Sequence, residues 1–371
     1  MFKQFSIQFA GCVVSLFAST CWSQTATETK GSVPADAQAL AEVVYTPLPT
    51  VKEDGTTTPC APIHVAAIPD SLREEYRVDP FYKKYTIILG IPIIGSEHVS
   101  DWAFLECAWT LDHLLNGRTM AHEALLKNKV RIGIIAVTEY TMDIPENQNP
   151  GMTARGAYND GRSRGLGGRR FTTCAEENLL NLRGDHYVRE NITIHEFSHT
   201  VASCIRTVAP EWYDRLKEAY SAAKARGDYV SGPSARPSYA MTNEQEYWAE
   251  GAQCWFDCAN PGNSGGASNR DQLKAKDAAL AALLTEVYGD GPWRYVKGAS
   301  RPADDTLHLA GLDRAKLPAF DLSKSPRVIA ERQAAEQARA AEKGKSADAK
   351  PSEPATAAAS PPDATPKDSG K

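Results

Sequence analysis

The sequence predicts an α+β fold, with a small sheet in the front half and a mainly helical back half. Three observations predict it. Apolar, β-branched runs stand at 85–95 (YTIILGIPIIG) and 129–137 (KVRIGIIAV). From residue 188 onward the apolar residues recur in steps of three and four, the rhythm of helices. No period of 20–50 residues repeats along the chain, so a repeat architecture is excluded.

Taken in order, the first residues read as a secretory signal. Lys3 supplies the positive start, residues 5–19 are mostly apolar, and small residues surround a cleavage point after Ser23. A lipid-modified Cys21 is the competing reading, although Ala18, Ser19 and Thr20 lack the leucine of a lipid-attachment motif. Either way the chain is expected to be secreted or periplasmic. Residues 24–58 are rich in Thr, Ala, Pro and Glu and read as a disordered linker. No segment has 18 consecutive apolar residues, so no stable membrane span is expected. A net charge of −5, with no basic stripe and no zinc-finger or phosphate-loop spacing, excludes nucleic acid as the expected partner. Oligomeric state has no signature in the sequence.

Residues 59–325 form one expected domain. The run at 85–95 is a strand, or a strand pair broken at Pro92. Residues 99–127 carry a helical rhythm through Trp102, Leu105, Trp109, Leu111 and Leu115. The run at 129–137 is a buried strand. A long polar stretch, 138–185, follows and is read as a functional loop. Its arginines either line a substrate groove or sit in solvated ion pairs. Residues 211–226 form an amphipathic helix expected to pack beside the helix before it, and 273–289 another. The end, 326–371, is a low-complexity tail of Ala, Pro, Lys and Glu whose start, VIAERQAAEQARAAEK, can form a solvated helix.

Past the signal, six cysteines remain: 60, 107, 174, 204, 254 and 258. An even number in an exported chain favours disulfides, with buried free thiols as the alternative. The sequence does not choose a pairing, and Cys254 and Cys258 are badly spaced to bridge each other.

The chemistry is concentrated in NITIHEFSHT, residues 191–200. On a helix over 188–206, Val188, Ile192, His195, His199 and Ala202 share one face. Histidines four apart project toward one point and can ligate one ion, while Glu196 is rotated by about 100° and can reach water at the ion. This is an HExxH motif. Catalytic zinc asks for a third protein ligand. A third histidine six residues after the second is excluded, because Ile205 stands there. The helix expected over 242–257, TNEQEYWAEGAQCWFD, supplies a carboxylate instead. Thr242 and Gln245 suggest a capping box at its start. Glu246 is the candidate third ligand. Glu250, one turn on, is the candidate acceptor for the free N–H of a ligating histidine. The remaining histidines, 64, 98, 113, 122, 186 and 308, lack ligand spacing.

HEFSH followed by a tyrosine and NEQEYWAE resembles the gluzincin zinc peptidases, and among them the catalytic domains of anthrax lethal factor and the Pro-Pro endopeptidases. The resemblance covers residues 190–258. It implies a zincin-like metallopeptidase domain holding Zn2+ on His195, His199 and Glu246. It further implies that Glu196 is the general base acting on zinc-activated water, and that Tyr239, seven residues before Glu246, stabilises the oxyanion. The function so implied is secreted endopeptidase, with a peptide or protein as substrate. Two alternatives stay open: an inactive zinc-binding envelope protein of the same fold, and a zinc hydrolase acting on a non-peptide amide.

Overall fold

The computed structural model describes residues 43–51 and 56–348. The expected signal sequence, most of the linker and the end of the tail lie outside the described residues. Among those described, no helix is long and apolar enough to cross a membrane.

The expected α+β architecture is present: a mixed six-stranded sheet backed by helices. Its strands are β1 (Ala66–Ala67), β2 (Lys84–Ile88), β3 (Ile91–Gly95), β4 (Arg131–Ile135), β5 (Gly165–Gly167) and β6 (Phe171–Ala175). The spatial order is β1-β2-β3-β4-β6-β5. Strands β3, β4 and β6 run parallel, while β1, β2 and β5 pair antiparallel with their neighbours. The parallel centre is apolar on both faces, as sheets covered twice must be: Ile93, Ile94, Ile132 and Ile134 are fully buried.

The strand pair at 85–95 turns at Leu89–Gly90 rather than at Pro92. Both turn residues have positive φ (49° and 75°), which a two-residue hairpin requires and glycine supplies without strain. Pro92 lies inside β3 opposite Ile87, one pair beyond the Ile88–Ile91 closing pair. That is a non-hydrogen-bonded position of the ladder, so β2 loses nothing to the missing N–H.

Two helices join β3 to β4: α1 (Asp101–Leu115) and α2 (Thr119–Lys127). The single rhythm over 99–127 breaks at Asn116–Gly117, where Gly117 takes φ 73°. The long polar stretch is more ordered than its composition suggests. It contains α3 (Gly156–Arg162), β5 and β6. Strand β6 was hidden by its threonines. Thr172 and Thr173 are buried because their hydroxyls are used, by Thr200 Oγ1 and by the Leu166 N–H. Arg164 lies nowhere near solvent: it grips Glu177 with two bonds of 2.6 and 2.9 Å, both side chains 1% exposed.

The back half is α4 (Ile192–Val208), α5 (Pro210–Arg226), α6 (Glu244–Trp255), α7 (Arg270–Lys276), α8 (Ala278–Tyr288) and α9 (Pro326–Asp348). The expected helix over 273–289 is two helices, separated at Asp277, which caps α8 by accepting from the Leu280 N–H. Helix α5 packs on α4 and α6 as expected.

Both ends of the domain extend past the expected boundaries. Tyr45 is buried, and its hydroxyl donates to Asp112 at 2.7 Å, so the chain at Tyr45 packs where a linker was expected. At the other end Arg327 bonds Asp143 and Asp160, which docks the first turn of α9. All six cysteines are free thiols, and all but Cys60 are buried. The disulfides favoured by their even number are not formed. Cys107 and Cys174 meet as hydrogen-bonded thiols, and Cys204 donates to a backbone carbonyl. They act as small core residues.

Candidate metal centre

Helix α4 begins later than expected. Asn191 caps it by accepting from the Ile194 N–H at 2.9 Å. Val188 falls before the cap and is 69% exposed, so it is not part of the buried face. The rest of the face holds: Ile192, His195, His199 and Ala202 are all buried. Helix α6 is capped by Asn243 rather than Thr242. The Asn243 side chain accepts from the N–H groups of Gln245 and Glu246, each at 2.9 Å, which fixes Glu246 in the first turn. The two helices are bound together by packing and by Trp248, whose indole N–H donates to Ser198 O, a carbonyl within the histidine motif, at 2.9 Å.

This packing brings three side chains from two helices to one point. His195 Nε2 lies 3.2 Å from Glu246 Oε2 and 3.2 Å from His199 Nε2, and His199 Nε2 lies 3.4 Å from the same Glu246 oxygen. A tetrahedral ion with bonds of about 2.0–2.1 Å separates its ligand atoms by roughly 3.3 Å. The triangle therefore has the edge length that shared coordination requires. His195, His199 and Glu246 form a group that could hold a metal ion.

The hydrogen bonds around His195 decide which nitrogen faces that point. Gln253 Nε2 donates to Asn191 O at 3.2 Å, and a carbonyl can only accept. Gln253 Oε1 is therefore the atom that faces His195 Nδ1, at 3.1 Å. Nδ1 therefore carries a proton, and Nε2 faces a carboxylate oxygen and a second imidazole. Such a trio calls for a proton or a metal cation between its members. Burial disfavours a charged His195. The Glu246 hydrogen bond and the nearby carboxylates of Glu196 and Glu250 outweigh it and push the imidazole up to about 10. Burial likewise opposes the Glu246 charge, but the two histidines hold its carboxyl far below the usual range.

No known protein family, curated protein or solved structure matches this chain.

Glu250 is not the hydrogen-bond partner of His195 expected from the sequence. Glu250 Oε1 lies 3.8 Å from His195 Nδ1, too far to accept its proton, and Gln253 does so instead. Both Glu250 oxygens are buried without a hydrogen-bond partner. Burial pushes this carboxyl up to about 8, against the pull of His195. Gln253 was missed although its position announced it: Glu246, Glu250 and Gln253 step by four and three along one helix face.

Tyr239 stands at this centre, in the short 3-10 turn Tyr239–Met241 that leads into α6. Its ring lies 6.4 Å from that of His195. Burial and the hydrogen-bonded Glu246 raise its hydroxyl well above the ordinary tyrosine value. Arg162 Nη2 donates to the same hydroxyl at 3.4 Å. Tyr239, Glu196, the two histidines and Glu246 all line one cavity of about 480 Å³.

Strand β5 forms a wall of this cavity and runs against α4. Its glycines make the approach possible. A Cβ on Gly167 would stand 2.4 Å from Glu196 O and 2.7 Å from His199 Cβ, and one on Gly165 would stand 2.9 Å from Glu196 Cγ. Being the edge of the sheet, β5 keeps one row of backbone groups unpaired by any strand.

Proposed function

We propose that this chain is an exported zinc endopeptidase with a zincin-like catalytic domain. The observation that carries the proposal is the triangle of His195 Nε2, His199 Nε2 and Glu246 Oε2, with edges of 3.2–3.4 Å and Gln253 fixing the His195 tautomer. Two nitrogens and one carboxylate oxygen, with one side open to a cavity, suit a catalytic zinc rather than a closed structural site. The HEFSH motif and its likeness to gluzincins support the same reading.

Zinc held there would supply a Lewis acid that polarises a carbonyl and makes water a stronger acid. Glu196 is the one carboxylate of the motif that is left free for proton transfer, and it borders the cavity. It takes the proton from the attacking water and passes it to the leaving amine nitrogen. Tyr239, kept protonated by its surroundings, donates its O–H to the carbonyl oxygen as negative charge builds there. An extended peptide can lie along the open edge of β5. The glycines of that strand bring such a peptide close to Glu196.

The test is cleavage of casein or a peptide library by the purified protein. Cleavage abolished by a chelator and restored by zinc is the expected result. A zinc-loaded protein that leaves every peptide intact would overturn the proposal.

A further inference from the structure

Two arginines frame helix α3 at the cavity. Arg155 immediately precedes the helix and Arg162 ends it, and both line the cavity that holds the histidines. Their guanidinium groups lie over one ring, Tyr158, at 4.4 and 5.9 Å from its centroid. Tyr158 is 48% exposed, so its ring is accessible from solvent. Tyr187 fastens the end of this helix by donating to Arg162 O at 3.1 Å. The cations are thus positioned by the fold, beside the reactive groups.

Among the described residues neither arginine has a carboxylate within ion-pair distance. Three other arginines do. Arg164 is locked to Glu177, Arg327 to Asp143 and Asp160, and Arg131 to Glu146. Of the four carboxylates lining the cavity, Glu196 and Glu250 are outside ion-pair distance of both arginines, and the other two are engaged elsewhere. Glu246 faces the two imidazoles, and Glu190 accepts from Asn263 at 3.2 Å. Arg162 spends a single long bond on the Tyr239 hydroxyl. A guanidinium carries five N–H donors in a fork that matches a carboxylate. Two such forks stand open at one cavity.

We infer that Arg155, Arg162 and the ring of Tyr158 form a carboxylate-binding subsite, so that the preferred substrates carry a carboxylate close to the scissile bond. The inference rests on the peptidase reading and names its substrate class. Arg162 touches the tyrosine assigned to the reacting carbonyl. Residues of an extended chain are spaced by about 3.3–3.6 Å, so the carboxylate belongs within roughly two residues of that bond. Its source is either an Asp or Glu side chain or the free C-terminus of the peptide.

The experiment uses matched peptides: Glu against Gln at each position flanking the bond, and free acid against amide at the C-terminus. Binding is read on the zinc-loaded Glu196→Gln protein, and KM and kcat on the parent. Carboxylate peptides are expected to bind about five- to ten-fold more tightly than their neutral twins. The advantage should shrink as salt rises. In an Arg155→Met/Arg162→Met double variant the ratio should fall to about one. A preference confined to Glu identifies the side chain, and one confined to the free acid identifies the terminus. Equal binding of charged and neutral peptides would overturn the inference. So would a double variant that lowers kcat alike for all peptides at unchanged KM, since the arginines would then act only through Tyr239. Tight binding of carboxylate peptides without any cleavage would sustain the subsite and reject the peptidase.

Discussion

The cavity has two unlike walls. One is built from helices α4 and α6, the other from residues 152–167 with α3 and strand β5. The helical wall is set in the core: Phe197, Trp248 and Gln253 are fully buried around the histidines. The opposite wall stands at the surface. Arg155, Tyr158 and Arg162 are exposed, and their helix is held by local bonds such as Asn159 Nδ2 to Met152 O at 2.8 Å and by Tyr187. Coordination and proton transfer need atoms fixed within fractions of an ångström, and packed helices provide that. Under the proposed function, substrate selection tolerates looser placement, and we assign it to the wall with open donors.

Five substitutions probe this contrast. The largest effect is expected on the helical wall. Glu196→Gln should lower kcat by about 10²–10⁴-fold while the zinc content stays at that of the parent, measured by elemental analysis beside the peptide assay. Unchanged turnover would remove Glu196 as the base. Next is the hinge of the exposed wall on the core. Arg164→Met strands Glu177 as an unpaired buried charge, which should cost about 3–5 kcal/mol in denaturant unfolding. A loss under 1 kcal/mol would mean that the wall does not depend on that pair. Gln253→Leu keeps the packing but removes the acceptor for His195 Nδ1, and zinc affinity in competitive titration should weaken about 10–100-fold. The parallel change Glu250→Gln should affect affinity less, because Glu250 makes no bond to His195; the opposite ranking would restore Glu250 to the role expected from sequence. The smallest effect is Gly167→Ala. Its methyl group would press on Glu196 O and His199 Cβ, which predicts a stability loss of about 1–3 kcal/mol. A variant as stable as the parent would show that β5 can retreat from α4.

The same contrast explains what the sequence disclosed. His195, Glu196, His199 and Glu246 were legible because helical spacing fixes relative direction, and their apolar neighbours marked both helices as buried. Helix ends were less legible. Val188 continues the apolar step, but Asn191 starts the helix after it, and Asn243 outcompetes Thr242 as the cap one residue away. The exposed wall was nearly illegible. Behind it, strand β6 is short and threonine-rich, and its threonines are buried because Thr200 and the Leu166 N–H engage their hydroxyls. Nothing in GRSRGLGGRR tells that Arg164 is locked to Glu177 while Arg162, two residues earlier, faces the cavity. The cysteine count misled because a buried thiol and a half-disulfide look alike in sequence.

On the proposed reading, one metal ion sits between two imidazoles and a distant carboxylate. Crystals of the zinc-loaded protein, measured above and below the zinc absorption edge, test it most directly. A single anomalous peak is expected about 2.0–2.2 Å from His195 Nε2, His199 Nε2 and a Glu246 oxygen. A fully loaded protein with no peak at that position, or with its zinc on other side chains, would contradict it.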